Sequence, residues 1–409
     1  MTTWRRLLLP AGVDAAAGPL LVARALRAFA DGYMAILLPA YLLALGLGTL
    51  EVGVVATATM FGSALATVAV GAWGHRFRSS RLLRGAALLM VLTGVGFAAF
   101  SSFWPLLVVA FVGTLNPSSG DVSVFLPLEH ARLAGAARGH VRTALFARYS
   151  LLGAVAAALG ALAAAIPAWL VASGVSDVAA LRAMFVLYGA VGLLVWQLYR
   201  RQPPPATEDE PDPSPPAPLG PSRAVVVRLA ALFSVDAFAG GLVVNSLMAL
   251  WLLERFGFSL AQAGAFFFWA GLLSALSQLA APVVARRFGL LNTMVFTHIP
   301  ANVCLVLAAW APTLPIALTL LFMRSALSQM DVPTRTAYVM AVVTPAERPA
   351  AASFTAVPRS LAGALSPTLS GALFAAGWIS APLVACGILK ICYDVTLWRS
   401  CRGDVLEER

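Results

Sequence analysis

The sequence predicts an all-α integral membrane protein of about twelve transmembrane helices, arranged as two related six-helix bundles. Of its 409 residues, 60% are hydrophobic and only 11% are charged, whereas a soluble domain carries roughly 25% charged residues. The hydrophobic residues fall in long runs, and a run of about 18 residues can cross a hydrocarbon layer about 30 Å thick. Features of the first half of the chain also recur in the second half.

Twelve hydrophobic runs form two sets of six. The first set lies near residues 21–46, 52–73, 82–100, 104–128, 143–166 and 181–199. The second set lies near residues 224–252, 260–284, 289–310, 313–332, 350–375 and 380–398. Because lipid cannot satisfy free backbone hydrogen-bonding groups, each run is expected to form a helix.

A proline-rich, acidic segment separates the two sets. It extends from Gln202 to about Ser222, and its composition is typical of an extended linker without a packed core. We therefore predict an N-terminal bundle over residues 1–200, a linker over residues 201–222 and a C-terminal bundle over residues 223–409.

Basic residues accumulate in alternate loops and account for the net charge of +10. They include Arg76 and Arg78 after the second run, Arg286 and Arg287 after the eighth, and the arginines that flank the linker. Positively charged loops stay in the cytoplasm, so the linker and both termini are expected there, in a plasma or inner membrane protein. The basic residues do not form one stripe interleaved with aromatic residues, so no nucleic-acid partner is expected.

The two halves share residues at a nearly constant shift. Across a shift of about 210 residues, the following positions match: Gly32 with Gly241, Arg76 with Arg287, Asp121 with Asp331, Arg138 with Arg348, and Gly153 with Gly363. A constant shift that continues through loops and charged residues indicates an internal repeat.

Six plus six helices around a cytoplasmic linker resemble the major facilitator superfamily. The loop Gly71-Ala-Trp-Gly-His-Arg76-Phe-Arg also resembles the family's G-x-x-x-D-R-x-G-R motif, with His75 in place of the aspartate. The second copy has Arg287 in the place of Arg76. The resemblance implies that the substrate cavity lies between the bundles, and that the loop latches the outward-open state through charge pairs.

Ionisable residues inside the hydrophobic runs are candidate functional sites, because each costs at least about 2.5 kcal/mol on membrane-insertion scales. Asp31 in the first run and Asp236 in the seventh are expected to be protonation or substrate sites; alternatively, each pairs with a nearby arginine. Arg324 has no acidic residue within one helical turn and is expected to bind an anion or to modulate the pKa of an acid. Asn245 completes the predicted cavity set.

Four further charged residues could form one gating ion pair in each half: Asp121 with Arg148, and Asp331 with Arg359. An ion pair that breaks and re-forms between two states would act as a gate. The alternatives are that both pairs are static, and that Asp331 pairs with Arg335 one turn away. Lys390 and Asp394 are four residues apart and are expected to neutralise each other.

The predicted function is proton-coupled secondary transport of small organic molecules by alternating access. The sequence has no Walker loop, and we expect neither an enzyme nor a cofactor or metal. The pattern Gly363-x-x-x-Pro367-x-x-x-Gly371 resembles a motif of antiporter members and favours efflux. The alternatives are a symporter or facilitator that imports a sugar or organic-acid nutrient, and a receptor or scaffold that does not transport. The expected partners are a small-molecule substrate, protons and the lipid bilayer, with the protein monomeric.

Overall fold

The computed structural model describes residues 13–14, 17–118, 123–136, 139–201, 219–344 and 347–401. In these residues the first half contains α1 (Ala17–Ala44), α2 (Thr49–Trp73), α3 (Ser79–Ala99), α4 (Phe103–Val112), α5 (Phe125–Gly135), α6 (Gly139–Leu162), α7 (Ile166–Ala172) and α8 (Asp177–Arg200). The second half contains α9 (Arg223–Gly241), α10 (Asn245–Phe256), α11 (Leu260–Phe288), α12 (Leu290–Ala309), α13 (Leu314–Leu327), α14 (Asp331–Ala341), α15 (Arg348–Ala375) and α16 (Ala381–Cys401).

Eight helical segments of the described residues are long and hydrophobic enough to cross a membrane. The sixteen helices correspond to twelve spans when α4 with α5, α6 with α7, α9 with α10 and α13 with α14 are each counted as one interrupted span. The all-helical, twelve-span prediction is therefore confirmed. Most of the predicted linker, residues 202–218, lies outside the described residues, so the domain boundaries remain a prediction.

Besides the short 3₁₀ turn between α6 and α7, three runs predicted as single helices are interrupted. In the fourth span α4 ends at Val112 and α5 begins at Phe125, and Pro117 between them has no N–H to continue a helix. The seventh span breaks after Gly241, and at this glycine the backbone approaches α15 so closely that a Cβ would lie 2.1 Å from the carbonyl oxygen of Gly363. The tenth span breaks between α13 and α14. The sequence Asn-Pro-Ser-Ser-Gly at 116–120 disfavours a helix and indicated the interruption of the fourth span, whereas the other two interruptions were not expected.

Two contacts between the halves are related by the internal repeat: α2 packs against α15, and α6 packs against α11. In addition, α1 contacts α10. Glycines allow close backbone approach at both crossings. A Cβ on Gly53 would lie 2.6 Å from the carbonyl oxygen of Pro367, and one on Gly264 would lie 2.5 Å from that of Ala161. These contacts lie toward the helix ends remote from the linker, here called the far side; the opposite side is called the linker side.

Burial along α2 and α15 shows that the halves separate toward the linker side. In α2 the buried residues extend from Val52 to Ala64, and none of residues 65–73 is buried. On α15, Gly371 is buried against α2 on the far side, whereas Arg359, nearer the linker side, is exposed. The contact on the far side and the exposure on the linker side describe a cleft between the halves that opens toward the linker side.

Candidate functional site

Charged side chains collect at about half the depth of the bundles. With a rise of about 1.5 Å per residue, Asp31 lies about 21 Å along α1 from the linker side, and Asp236 about 20 Å along α9. On the same basis, Arg359 lies about 17 Å from the linker-side start of α15, and Arg324 about 15 Å from the far-side start of α13. In a hydrocarbon layer about 30 Å thick, these positions are near the midplane.

In the first half, four side chains form the Glu129 cluster: Arg27, Glu129, Tyr149 and Tyr199. Glu129 on α5 is fully buried and forms an ion pair with Arg27 of α1. The hydroxyl groups of Tyr149 and Tyr199 each donate a hydrogen bond to its carboxylate at 2.5 Å. The Arg27 guanidinium also lies 4.0 Å from the centre of the Phe125 ring. These partners satisfy both charges inside one half.

Asp31 lies one helical turn beyond Arg27 but is not a member of the Glu129 cluster. Because Arg27 is engaged by Glu129, the expected alternative of a static Asp31–arginine pair is not formed. Asp31 is partly buried, and it makes no hydrogen bond or ion pair with the residues that the structure describes. Arg24, on the same helix, instead lies over the Tyr149 ring at 5.3 Å. Asp31 is thus an acid at mid-depth that has no hydrogen-bond or ion-pair partner among the described residues.

In the second half, four charged side chains form the Asp236 cluster: Asp236, Asp331, Arg335 and Lys390. Buried Asp236 on α9 accepts hydrogen bonds from Lys390 of α16 at 2.5 Å and from Arg335 of α14 at 3.0 Å. Arg335 also forms an ion pair with Asp331. The cluster therefore joins three helices and contains two acids and two bases.

Two expected pairings are wrong for this structure. Asp331 does not pair with Arg359, because it takes the alternative partner Arg335 one turn away on α14. Lys390 does not neutralise Asp394, because it reaches Asp236 across to α9. Asp394 instead lies 3.0 Å from Nδ1 of His298 on α12. Asp331 therefore takes the partner on its own helix, whereas Lys390 takes a partner on a neighbouring helix.

Near the midplane of the second half, Arg324 and Arg359 form no ion pair with the described residues. Arg359 on α15 is exposed. Arg324 on α13 is partly buried, and its Nε atom is buried without a hydrogen-bond partner. Because exposing a guanidinium to lipid at the midplane is unfavourable, the exposed surface of Arg359 is expected to face water in the cleft.

Comparison with known proteins identifies the family. The sequence profile described as Major Facilitator Superfamily matches residues 20–328. The chain belongs to the Major Facilitator Superfamily. It is therefore a multi-pass membrane protein, and the resemblance seen in the sequence is confirmed.

Several relatives of this superfamily member can be named. An uncharacterized membrane protein of Saccharomyces cerevisiae is 23% identical over 410 residues, which cover 91% of each chain. A bacterial homolog of the human lysosomal transporter Spinster, in an inward-facing and occupied conformation, superposes with a TM-score of 0.73 at 17% identity, covering 94% of this chain and 96% of that one. The D-xylose–proton symporter has a TM-score of 0.72 at 16% identity, with coverage of 93% and 97%. At these identities the solved structures show a shared fold.

The remaining predicted residues of this superfamily member are distributed as follows. Arg148 is exposed on α6, but Asp121 lies outside the described residues, so the pair between them remains a prediction. Asn245 is the first residue of α10. The next amide, that of Ser246, donates a hydrogen bond at 3.1 Å to the carbonyl oxygen of Pro117, which links the interrupted spans of the two halves.

The loop-motif residues Gly71, Arg76 and Arg287 are exposed on the linker side. Neither arginine forms an ion pair with any part of the chain that the structure describes. This agrees with the separation of the two halves on that side, because a latch between the halves would require them to meet there.

Sequence reasoning missed the composition of both clusters. Glu129 was visible as a charge near the end of a hydrophobic run, but its tyrosine partners carry no charge that distinguishes them in the sequence. Lys390 was visible as the only lysine of the chain, but its spacing to Asp394 suggested a local partner. The depth of Lys390 in a span that crosses the membrane beside α9 could have indicated Asp236 as its partner.

Proposed function

We propose that this protein is a proton-coupled secondary transporter of small organic molecules that works by alternating access. The observation that carries this proposal is the contrast between Asp31 and the other deep acids. Glu129, Asp236, Asp331 and Asp394 are each held by a basic partner, whereas Asp31 makes no hydrogen bond or ion pair with the described residues.

An acid without a direct partner is suited to carry a transported proton. Protonation of Asp236 would leave the charges of Arg335 and Lys390 uncompensated in a buried site, which is strongly unfavourable. Protonation of Asp31 would break no such pair. If the proton affinity of Asp31 differs between the two open states of the cleft, protonation shifts the balance between them. The membrane potential supplies about 2.3 kcal/mol per charge per 100 mV.

Alternating access would arise from rocking of the two halves about the cleft. The glycine contacts between α2 and α15, and between α6 and α11, support a closed far side in the present state. Opening the far side would separate Gly53 from Gly371 and bring the linker-side ends together. We propose that Arg148 and Arg359, at equivalent positions of α6 and α15, take part in gating ion pairs in the closed linker-side state.

We further propose that the linker side is cytoplasmic, that the protein resides as a monomer in the plasma or inner membrane, and that export is the direction of transport. The arginine-rich loops on the linker side support this orientation. The Gly363–Pro367–Gly371 pattern on α15 supports antiport, because it resembles a motif of antiporter members. Import by symport is the alternative. In the proton-flux assay described below, symport would move protons in the direction opposite to antiport.

Proton flux in proteoliposomes tests the proposal. Vesicles that contain purified protein and a trapped pH-sensitive dye receive, in turn, sugars, nucleosides, organic acids and cationic dyes. We expect at least one compound to drive proton movement through the wild-type protein and not through Asp31→Asn. Asp177→Asn, an exposed position at the far-side start of α8, is the matched control and should behave as wild type. Proton movement that persists in Asp31→Asn would refute the assignment of the coupling residue.

A further inference from the structure

We propose that protons reach Asp31 from the linker side through a cavity inside the first half, separate from the cleft, and that the hydroxyl groups of Thr114 and Tyr188 relay them over the last step. This inference rests on the proposed role of Asp31 as the coupling acid and adds the route by which its proton travels. It follows from the position of the cavity, from the hydrogen bonding at its inner end, and from the place of Asp31 beside that end.

A cavity of about 240 Å³ lies between the second, third and fourth spans of the first half. The interruption of the fourth span forms part of its wall, because Thr114 after α4 and Ser123 before α5 both line it. On α2 the wall includes Ser63 and Ala66. At 3.6 residues per turn these two lie on the side of the helix away from Thr57, which hydrogen-bonds to α15. The cavity therefore belongs to the interior of the first half and not to the cleft.

The cavity extends from the linker side to about half the depth of the membrane. Two of its lining residues on α3 are Arg81, which is exposed, and Leu89. They lie about 3 Å and about 15 Å from the linker-side start of this helix, and Thr114 lies about 16 Å from the far-side start of α4. Although the other lining residues are hydrophobic or glycine, Arg81 and the hydroxyl groups of Ser63, Thr114 and Ser123 are polar. The volume admits several water molecules, and these groups can bind them.

Hydrogen bonding between Thr114 and Tyr188 closes the inner end of the cavity. The Tyr188 hydroxyl on α8 lies 3.1 Å from the Thr114 hydroxyl and 3.1 Å from the Thr114 carbonyl oxygen. Tyr188 is buried and lies about 16 Å from the far-side start of α8, close to the depth of Asp31. Asp31 and Arg27 are the charged side chains beside it. Because no direct hydrogen bond joins Tyr188 to Asp31, one bridging water completes the connection.

The relay changes the protonation state of Asp31 alone. A proton from cavity water binds the Thr114 hydroxyl oxygen while the proton of that hydroxyl passes to Tyr188. The Tyr188 proton then passes through the bridging water to the Asp31 carboxylate, so each hydroxyl gains one proton and gives up one. The other charged or titratable side chains around this site are Arg24, Arg27, Tyr33, Glu129, Tyr149 and Tyr199. Since Glu129 is paired with Arg27, Asp31 is the acid that accepts the proton.

The test measures how fast Asp31 takes up a proton in the purified full-length protein, and it needs no substrate. After a rapid drop in pH, time-resolved infrared spectroscopy follows the carbonyl band of the protonated carboxyl group, which is assigned by its absence in Asp31→Asn. Tyr188→Phe and Thr114→Val should each slow its appearance about tenfold or more, since roughly 1.4 kcal/mol of added barrier gives a factor of ten. Thr114→Ser keeps the hydroxyl group and should recover most of the rate.

A larger side chain in the cavity tests the route itself. Leu82→Trp fills the linker-side part of the cavity and should slow the protonation of Asp31. Leu88→Trp makes the same change at an exposed position of α3 and should behave as wild type.

The reactivity of an introduced cysteine reports whether the cavity contains water. In a background without native cysteines, Ser63→Cys should react with a charged methanethiosulfonate reagent, and addition of Leu82→Trp should suppress the reaction. Ser277→Cys, at a buried position of α11, is the control and should react slowly.

The route is overturned if Asp31 takes up its proton at the wild-type rate in both Tyr188→Phe and Leu82→Trp. It is also overturned if Ser63→Cys reacts no faster than Ser277→Cys, because the cavity would then be dry. Failure of the transport function has a different signature: Asp31→Asn would leave the proton flux in proteoliposomes unchanged, while the infrared rates of the other variants would still differ. The two failures can therefore be distinguished.

Discussion

The Glu129 cluster and the Asp236 cluster occupy corresponding places in the two halves but have opposite charges on the corresponding helices. In the first half, α1 supplies the cation Arg27 and α5 supplies the acid Glu129. In the second half, α9 supplies the acid Asp236 and α14 supplies the cation Arg335. Arg27 and Asp236 align in the internal repeat. The fold therefore requires a neutral contact between the first and fourth spans of each half, and either helix can carry the positive charge.

The two clusters also differ in how they satisfy the central acid. The Glu129 carboxylate accepts hydrogen bonds from two tyrosine hydroxyl groups, which add no charge to the cluster. Asp236 contacts a second cation, Lys390, in addition to Arg335. The second acid, Asp331, pairs with Arg335 and makes the cluster neutral. Both clusters are neutral, and Asp31 lies outside them as a deep acid without a hydrogen bond or ion pair to the described residues. This contrast underlies the proposed function.

Removal of Asp236 is expected to have the largest effect on stability. Asp236→Asn leaves the charges of Lys390 and Arg335 undercompensated in a buried site, and breaking such a contact costs about 3–5 kcal/mol. The apparent unfolding temperature in detergent should fall sharply. The double variant Asp236→Asn with Lys390→Met should recover part of the loss, while Asp31→Asn should leave the unfolding temperature nearly unchanged. Equal effects of the two single variants would show that Asp31 is as tightly held as Asp236.

Removal of the charge on Glu129 should cost less. In Glu129→Gln the amide oxygen can still accept a tyrosine hydroxyl, and Arg27 keeps its contact with the Phe125 ring, so we expect about 2–3 kcal/mol. Tyr199→Phe removes one neutral donor and should cost about 1 kcal/mol. Unfolding in detergent measures both variants. If Tyr199→Phe is the more damaging of the two, the ion pair with Arg27 is not the main contribution of Glu129.

The far-side crossing should respond to a larger residue at Gly53. Gly53→Leu places a side chain against the backbone of Pro367 and Gly371, and overpacking of about 1–3 kcal/mol should shift the population away from the linker-side-open state. A cysteine introduced at exposed Ala356, in a background without native cysteines, reports the opening through its reaction with a maleimide added from the linker side. The rate should fall about tenfold, since roughly 1.4 kcal/mol corresponds to a factor of ten.

The matched control is Gly85→Leu, because a Cβ at this position on α3 meets nothing within 4 Å. This variant should leave the labelling rate of residue 356 unchanged. A rate in Gly53→Leu that equals the rate in Gly85→Leu would mean that the α2–α15 contact does not control the opening.

The smallest effect is expected at Glu347, outside the membrane-spanning segments. Hydrogen bonds from Ser222, the Gly220 amide and Thr344 lower the pKa of Glu347 from 4.5 to about 2. The folded state therefore prefers the ionised carboxylate, and its contribution is present above about pH 4.5 and lost as the pH falls toward about 2. Glu347→Gln should lower the unfolding temperature slightly at pH 7, and the difference from wild type should shrink at pH 3. A difference that grows at low pH would reverse the assigned sign.

Much of the fold and part of the candidate site could be predicted from the sequence. Asp31, Asp236 and Arg324 were identified because a charge inside a hydrophobic run is costly wherever it lies. The close approach of Gly241 to Gly363 could not be predicted, because it depends on how α9 and α15 pack. The tyrosines of the Glu129 cluster could not be predicted either, because a neutral residue in a hydrophobic run gives no signal of its own.

The sequence by itself determined the number of spans, the internal repeat and the depth of each charge, because these follow from the length of hydrophobic runs and from position along a helix. Only the tertiary structure decided which charges pair. Arg27 and Glu129 are 102 residues apart, and Asp236 and Lys390 are 154 residues apart. Arg27 has Asp31 and Lys390 has Asp394 within one turn of its own helix, yet the packing of distant helices gives each arginine or lysine a different acid.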